Sequence, residues 1–512
     1  MQASVLDTVA ERDAPSFIYA MEKSNFLENT AWKTRQWRDG RKKAHYIDTW
    51  NPAASSKEAS VTESNIPPES QTSEPVKPVA DAGFRLQGGM RSLRHRNFQL
   101  FFSGQLISLI GTWMQSVAQS WLVYKLTGSG LLLGAVGFAS QIPVFLFAPL
   151  GGITADRFNR QRIVIATQVA SMLLAFVLAA LTLSGRVQVW HVFVLAGLLG
   201  VVNAFDLPGR QSFLVDMVGK EDLMNAIALN SSMFNGARVI GPAVAGILVA
   251  KLGEGWCFFA NGVSYIAVII GLLLMNVQCP RRAGKHSSPF DDMVEGFRFV
   301  SETAPIRALL LLLGLVSLVG MPYVVLMPIF ADRILGGGAQ GLGILMGGTG
   351  VGALLGALTL AFRSGVKGLG RWITWCCAGF GASLVLFSLS RSFYLSVFLL
   401  LPVGYFIMLQ MACSNTLIQV MVPDALRGRV MAFYAMMFMG MAPIGALLGG
   451  ALSDRLGAPL TVGLGGVASI GAAIWFGLHL PKIRVEARRL IVAQAMSGGA
   501  PAEEMTAGVV ED

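Results

Sequence analysis

One arginine, Arg238, lies in the middle of a long apolar segment, where charged residues are rare. An arginine at the centre of a bilayer costs about 2.5–3.5 kcal/mol on insertion scales, so it should face the protein interior or a water-filled cavity. Asp206 is the nearest acidic residue in sequence that also lies within an apolar segment. We hypothesise that the two residues pair to gate or couple a movement. The alternatives are a structural ion pair, or two charges that helix ends and water satisfy separately.

Patterns typical of catalytic and metal sites are missing from the apolar segments. His191 and His479 are isolated near segment ends, and the five cysteines, including the adjacent Cys376 and Cys377, have no ligand-like spacing. We therefore expect no catalytic residue, no metal site and no cofactor, and we interpret the cysteines as packing residues. The sequence contains no Gly-x-x-x-x-Gly-Lys-Ser/Thr phosphate-binding loop, so ATP is not indicated as an energy source.

Composition places these residues in a membrane. The chain is 53% hydrophobic and 14% charged, whereas a soluble protein carries roughly 25% charged residues. Several apolar runs exceed the ~20 residues that span a bilayer. The net charge of +10 does not indicate nucleic acid, because the cations stand at the ends of apolar runs. We predict an all-α polytopic membrane protein with twelve spans, at about 98–125, 130–154, 163–184, 189–214, 223–251, 256–277, 306–332, 340–362, 371–389, 393–420, 427–453 and 459–480.

Lysine and arginine set the expected orientation, because cytoplasmic connections carry an excess of both. The connections after odd-numbered spans hold one cation each: Lys125, Arg186, Lys251, Arg333, Arg391 and Arg455. The connections after even-numbered spans hold more: Arg157, Arg160, Arg162, Lys220, Arg281, Arg282, Lys285, Arg298, Arg307, Arg363, Lys367, Arg371, Arg427 and Arg429. We therefore expect the even-numbered connections and both termini to be cytoplasmic, in a plasma (inner) membrane.

Two stretches, residues 234–253 and 438–457, repeat one pattern of apolar residues and glycines without a gap. Such a long-period repeat indicates two homologous halves. The expected organisation is a disordered cytoplasmic extension (1–84), a first six-helix half (85–277), a central loop (278–305), a second half (306–480) and a cytoplasmic tail (481–512). Met90 precedes a basic collar and is a candidate for the functional start of the chain.

The central loop contains a predicted amphipathic helix. Met293, Val294, Phe297 and Val300 share one helical face, and charged residues lie mostly opposite. We interpret this segment as a short helix on the inner membrane surface. A solvated linker is the alternative.

Two local motifs add detail. The connection after span 2 has Gly152, then Asp156, then Arg157 and Arg160. Asp156 is able to accept hydrogen bonds from the start of the next helix or to pair with an arginine across the halves, and we expect these charged residues to act in gating. Span 5 carries Gly241, Pro242 and Gly246, a helix-kink motif that also permits close packing. A purely structural packing kink is the alternative for this second motif.

These motifs resemble the major facilitator superfamily. The sequence of residues 93–129, 151–162, 205–218 and 225–246 is similar to that of its enterobactin-exporter-like branch, the transmembrane secretion effectors, and the resemblance covers about 91–481. It implies outward movement of siderophores, macrolides or other amphiphiles, with the span-5 motif associated with exporters. Span 4 lacks the mid-membrane arginine that many proton-coupled members carry.

The resemblance also implies that spans 1, 4, 7 and 10 line a central cavity. Candidate cargo-facing residues are then Gln115, Gln119, Tyr323, Tyr405, Gln410 and Asn415, with interhelical hydrogen bonds as the alternative role. We expect a monomeric exporter that works by alternating access with a small amphiphilic substrate and the proton gradient, and that is not an enzyme. The alternatives are a passive facilitator or importer, and a membrane receptor or assembly partner.

Overall fold

A computed structural model describes residues 91–219, 221–277, 289–363 and 365–496. The predicted disordered extension and the candidate start at Met90 lie outside these ranges. Two sets of long helices make up the described chain. The first set is α1 (Arg96–Thr127), α2 (Gly130–Arg157), α3 (Arg160–Leu183), α4 (Val189–Val218), α5 (Leu223–Leu252) and α6 (Glu254–Leu273). The second set is α7 (Ala304–Ile334), α8 (Gly338–Ala361), α9 (Leu369–Leu389), α10 (Phe393–Met421), α11 (Asp424–Leu456) and α12 (Ala458–Met496).

Eleven of these described helices, α2 to α12, are long and apolar enough to cross a membrane. Helix α1 has 32 residues, which is ample length, but its glutamines, serines and glycines lower its hydropathy. The predicted all-α polytopic architecture is confirmed. The twelfth span depends on α1, whose polar residues follow from its position inside the bundle, where Gln105 and Gln115 are buried.

The two halves meet through equivalent helices. Helix α2 packs against α11, and α5 packs against α8. Small residues allow the close approach, because a Cβ at Gly134 would lie 2.3 Å from the Ala446 carbonyl oxygen, and one at Gly343 would lie 2.5 Å from the Pro242 carbonyl oxygen. The repeated stretches in α5 and α11 are thus the surfaces through which each half contacts the other.

Helix α12 is longer than its predicted span. The prediction ended span 12 at residue 480, before Pro481, but the helix continues through this proline to Met496. Ile483, Ala487 and Ile491 continue its apolar face, and Ala487 and Ile491 are buried. Tertiary packing therefore outweighs the local cost of a proline within a helix.

The central loop contains the expected short helix, Pro289–Glu302, which we call the linking helix. Met293, Val294 and Phe297 are exposed, and Val300 is buried. Glu295 pairs with Arg429 at the start of α11, which holds the linking helix on the second half. The position of this helix on the membrane surface stays a prediction, with the solvated linker as its alternative.

Candidate functional site

The halves are closed together at the end of the bundle where α1 leads into α2, which we call the closed end. The Asp454 carboxylate, in the last turn of α11, accepts hydrogen bonds from Ser129 Oγ (2.6 Å) and from the backbone N–H groups of Gly130 (2.6 Å) and Leu131 (3.1 Å). It thereby caps the positive N-terminus of α2. Sequence reasoning missed this residue, because only the tertiary structure brings α11 to the start of α2.

A second group strengthens the closed end. Tyr124 Oη donates a hydrogen bond to Asp332 Oδ2 (2.7 Å), and the Arg333 guanidinium lies 5.6 Å from the centre of the Tyr124 ring. Four hydrogen bonds therefore join the halves here. Asp332, Arg333 and Asp454 of the second half therefore contact the first half at this end, and we call this group of contacts the latch.

The contact between α5 and α8 includes the backbone of Arg238. A Cβ at Gly350 on α8 would lie 3.1 Å from the Arg238 carbonyl oxygen on α5. A different face of α8 contacts α10 within the second half, and a Cβ at Gly356 on that face would lie 2.7 Å from the Tyr405 carbonyl oxygen. Arg238 thus lies on the surface through which α5 meets α8.

Two cavities lie along this interface. The smaller, of about 40 Å³, is lined by Trp113, Arg238, Pro242, Tyr323, Val324, Met327, Met346 and Thr349. The larger, of about 240 Å³, shares Val324 and Met346 with the first. Its polar lining consists of Ser116, Gln119, Ser120, Ser140 and Gln141. Neither lining includes a carboxylate. Among the described residues that line the two cavities, Arg238 is the charged one.

Arg238 does not pair with Asp206, which corrects the proposed pairing. Its guanidinium lies 5.7 Å from the centre of the Trp113 ring, a favourable cation–π arrangement. Among the described residues, no carboxylate lies within ion-pair distance of Arg238. Tyr323, on the wall of the same small cavity, is 2% exposed, and its hydroxyl has no hydrogen-bond partner in the described chain. A polar group of a ligand is able to satisfy both side chains.

Asp206 belongs to a separate network between α3 and α4. Its Oδ1 accepts hydrogen bonds from Thr167 Oγ1 (2.9 Å) and Gln168 Nε2 (3.0 Å), and its Oδ2 pairs with Arg210. Arg210 lies one turn further along α4, so it is closer than any residue of α5. The sequence contained this partner, but reasoning about mid-span charges overlooked it.

The connection after α2 has a different arrangement from the one expected. Asn159, not Asp156, caps α3, since its Oδ1 accepts a hydrogen bond from the Arg162 backbone N–H (3.1 Å). Asp156 and Arg157 are exposed, and the described structure shows no ion pair between Asp156 and an arginine of the other half.

Arg160 is the buried charged residue among Asp156, Arg157 and Arg160. Its Nη1 lies 2.7 Å from Asp216 Oδ2 near the end of α4, and the two side chains are only 4% and 6% exposed. Its Nε also donates to the Ala155 carbonyl oxygen (3.3 Å). This ion pair fastens α3 and the preceding connection to α4. Sequence reasoning missed Asp216, because it lies just beyond residue 214, the predicted end of span 4.

The predicted cargo-facing residues divide into three groups. Gln119 and Tyr323 line the cavities. Gln115 does not, because its Oε1 accepts a hydrogen bond from Asn261 Nδ2 (2.7 Å) on α6, so its role is interhelical. The remaining three lie on α10 and line neither cavity: Tyr405 packs beside Phe406, Gln410 is fully buried with no partner for its amide in the described chain, and Asn415 accepts a hydrogen bond from Gln419.

The helix-kink motif serves as a contact surface. A Cβ at Gly241 would lie 2.4 Å from Trp113 Cβ on α1, and one at Gly246 would lie 3.1 Å from the Gly343 Cα on α8. Pro242 lines the small cavity, and α5 remains helical through it. The motif therefore positions Arg238 between Trp113 and the second half.

The latch gives a first testable expectation. Asp454→Asn weakens the cap on α2, so we expect the population closed at this end to fall by about tenfold, since bonds to a charged group are the strongest of this kind. Distances between spin labels at Lys251 and Arg391 measure the change. Asp424→Asn is the matched control, because Asp424 lies on the same helix and forms an exposed pair with Arg427. An unchanged distance distribution in Asp454→Asn would contradict the latch.

Two six-helix halves that close at one end around an interfacial cavity define a secondary transporter of the major facilitator fold. The sequence agrees with this class. The chain belongs to the transmembrane secretion effector family, whose model matches residues 87–504. This is a family of transporters, so the predictions of a multi-pass membrane protein that is not an enzyme are confirmed.

Relatives across bacteria match most of the chain. A staphyloferrin A transporter of Staphylococcus aureus is 25% identical, covering 75% of this chain and 97% of the relative. The multidrug efflux pump Tap of Mycolicibacterium fortuitum is 26% identical, covering 68% and 87%. The enterobactin exporter EntS of Shigella boydii is 25% identical, covering 77% and 93%. These identities support shared ancestry, and they do not assign the substrate of a relative to this chain.

Solved structures support the fold. The nucleoside transporter NupG matches with a TM-score of 0.61 at 14% identity, covering 76% of this chain and 99% of that one. A bacterial homologue of the lysosomal transporter Spinster, in an inward-facing and unoccupied conformation, matches with a TM-score of 0.57 at 15% identity, covering 78% and 98%. At these identities the likeness is one of fold alone.

Proposed function

We propose that this protein exports amphiphilic small molecules by alternating access. The observation that carries the proposal is the position of Arg238, on the wall of a cavity and on the surface where α5 of the first half contacts α8 of the second. Its charge has an aromatic neighbour and no carboxylate partner among the described residues. A cation in this position responds both to a bound molecule and to the movement of α5 against α8. Arg238 is therefore the proposed gating and cargo-sensing residue.

The cavity lining restricts the cargo class. Hydroxyl and amide groups alternate with valine, leucine and methionine in the larger cavity, which suits a molecule with both polar and apolar parts. The flexible methionine side chains of the two linings can adapt to cargo of different shapes, and the Arg238 cation favours amphiphiles with oxygen-rich groups. Siderophores and drugs, the substrates named for the relatives, are the two classes to test first.

We propose the proton gradient as the energy source. Asp206 is a buried carboxylate in the membrane-spanning part of α4, 2% exposed and held by hydroxyl, amide and guanidinium groups. It is the candidate coupling residue, because a carboxylate that exchanges partners is able to take up and release a proton. Arg160 and the exposed Asp156 and Arg157 are the candidate gating residues of the opposite end.

A vesicle experiment tests this function. Inverted membrane vesicles from cells that express the protein should accumulate a labelled catecholate siderophore or macrolide when the vesicle interior is acidic. Collapse of the pH gradient should abolish the accumulation. Uptake that only equilibrates, with or without the gradient, would instead identify a passive facilitator, and no uptake of any amphiphile would favour a receptor or assembly role.

The proposed location is the plasma membrane, with a monomer whose termini are cytoplasmic and whose closed end faces outwards. The distribution of lysine and arginine supports this orientation. Cysteines introduced at Arg391 should react with an impermeant reagent in intact cells, and cysteines at Arg157 should react only after permeabilisation. Cys257, Cys376, Cys377 and Cys413 are buried, and Cys279→Ser removes the remaining thiol. Labelling of the Arg157 position from outside would invert the orientation.

A further inference from the structure

A third cavity lies away from the transport pathway, at the end of the bundle opposite the latch. It has a volume of about 110 Å³ and is enclosed by the α8–α9 connection, the start of α9, part of α10 and the extension of α12. None of its lining residues belongs to the central cavities. It therefore needs an explanation of its own.

The floor of this cavity is apolar. Helix α12 contributes Phe476, Leu480, Ile483, Ala487 and Ile491, and α10 contributes Leu417. The α12 residues recur every three or four positions, so they form one stripe along the helix. Gly370 at the start of α9 keeps the floor accessible, because a Cβ there would lie 2.9 Å from Leu480 Cδ1.

The rim of the cavity is cationic. Lys367, Arg371, Arg484 and Arg488 surround it, and no aspartate or glutamate is among its lining residues. Arg371 and Arg484 are exposed, and among the described residues neither lies within ion-pair distance of a carboxylate. Two arginines that approach one cavity from different helices make an arrangement suited to a phosphate group.

The depth of the cavity fits the edge of the bilayer. At about 1.5 Å per residue, Leu480 lies roughly 33 Å along α12 from its start at Ala458, whereas the hydrocarbon core is ~30 Å thick. The apolar floor thus begins near the hydrocarbon boundary, and Arg484 and Arg488 follow at headgroup level. Leu478, on the outer side of α12, is 75% exposed, as a lipid-facing residue would be.

We propose that this cavity binds an anionic phospholipid. Its phosphate lies between Arg371 and Arg484, and one acyl chain packs against Ile483 and Leu480, which are both partly exposed. Basic pockets beside transmembrane helices recognise acidic headgroups in this way. The site links α9 with α12 of the second half. This inference depends on the membrane location of the protein but not on its cargo or its coupling ion.

Native mass spectrometry of the purified full chain tests the proposal. The protein is titrated with phosphatidylglycerol or cardiolipin, and with phosphatidylcholine for comparison. We expect the wild type to retain the anionic lipids selectively. Arg371→Gln/Arg484→Gln should weaken their binding about 25-fold, since each cation near an anionic surface contributes about fivefold. Both positions are exposed, so the variant should fold, and its elution by size exclusion verifies this.

The control is Lys482→Gln/Arg489→Gln, which also removes two positive charges, both from the extension of α12. Lys482 and Arg489 are exposed and do not line the cavity. This control should bind anionic lipid as the wild type does. Equal losses in both double variants would show a general charge effect and overturn the site. Equal binding of phosphatidylcholine, or displacement of the lipid by millimolar inorganic phosphate, would also overturn it.

Discussion

Arg238→Ala should reduce export at least about tenfold while leaving membrane abundance near the wild-type level. The arginine stabilises no ion pair in the described structure, so its removal leaves no buried carboxylate uncompensated. What is lost is the contact between this cation and the cargo, and contacts of that strength contribute about 1.5–3 kcal/mol. Arg238→Lys should recover only part of the activity, because lysine lacks the planar set of donors.

The measurement is gradient-driven uptake into inverted vesicles, normalised to the amount of protein. Arg186→Ala is the control, because Arg186 is an exposed cation in the α3–α4 connection. Full activity in Arg238→Ala would remove Arg238 from the mechanism. The repeat offers a further comparison, since the equivalent position on α11 is Ala442, and Ala442→Arg should not restore function to Arg238→Ala.

Arg238 and Asp206 lie in separate networks, and a double variant tests this directly. Effects of substitutions that share no partner add to within about 0.5 kcal/mol. The losses of export in Arg238→Ala and Asp206→Asn should therefore add in the double variant. If the double variant is no worse than either single variant, the result would support the hypothesis that Arg238 and Asp206 pair in another conformation of the protein.

Arg160→Ala should have the largest effect on stability. It leaves the Asp216 carboxylate, 6% exposed, without its cation, and breaking one side of a buried pair costs about 3–5 kcal/mol. We expect a lower thermal unfolding midpoint in detergent and a lower abundance in the membrane. The neighbouring Arg157→Ala is the matched control and should change stability by less than about 0.5 kcal/mol, since Arg157 is exposed.

The double variant Arg160→Met/Asp216→Leu separates structure from gating. Replacing a buried ion pair by apolar residues of similar size is often neutral or stabilising, so this variant should regain most of the abundance lost in Arg160→Ala. If export also recovers, the pair acts only in folding. Recovery of abundance without recovery of export would support a gating role for Arg160.

The basic collar before α1 was recognisable in the sequence, but the residue that it contacts was not. His95 Nε2 and Arg91 Nε both contact the Asp222 carboxylate in the α4–α5 connection, at 2.8 and 3.0 Å. The hydrogen bond with His95 and the nearby charge of Arg91 lower the pKa of the Asp222 carboxyl. Residues whose charge is predicted to set the topology therefore also fasten the start of the first half to a connection distant in sequence.

Hydropathy, small-residue spacing and the internal repeat were enough to determine the class of this protein. A chain in lipid must satisfy its backbone within helices, so long apolar runs have essentially one structural outcome. The same constraint made the positions of eleven helices predictable. It also explains why the surfaces between the halves, where Gly134 and Gly343 allow close approach, are visible as a repeated glycine pattern.

Only the tertiary structure decided which polar groups meet. Gln115 bonds to Asn261, Asp206 to Thr167 and Asp454 to the start of α2, and each choice depends on helix rotation and on distances that the sequence does not contain. The continuation of α12 beyond Pro481 likewise depends on tertiary packing, which buries Ala487 and Ile491. Hydrophobic burial is non-directional and can be read from composition, whereas hydrogen bonds and ion pairs act over a few ångströms and require the assembled fold.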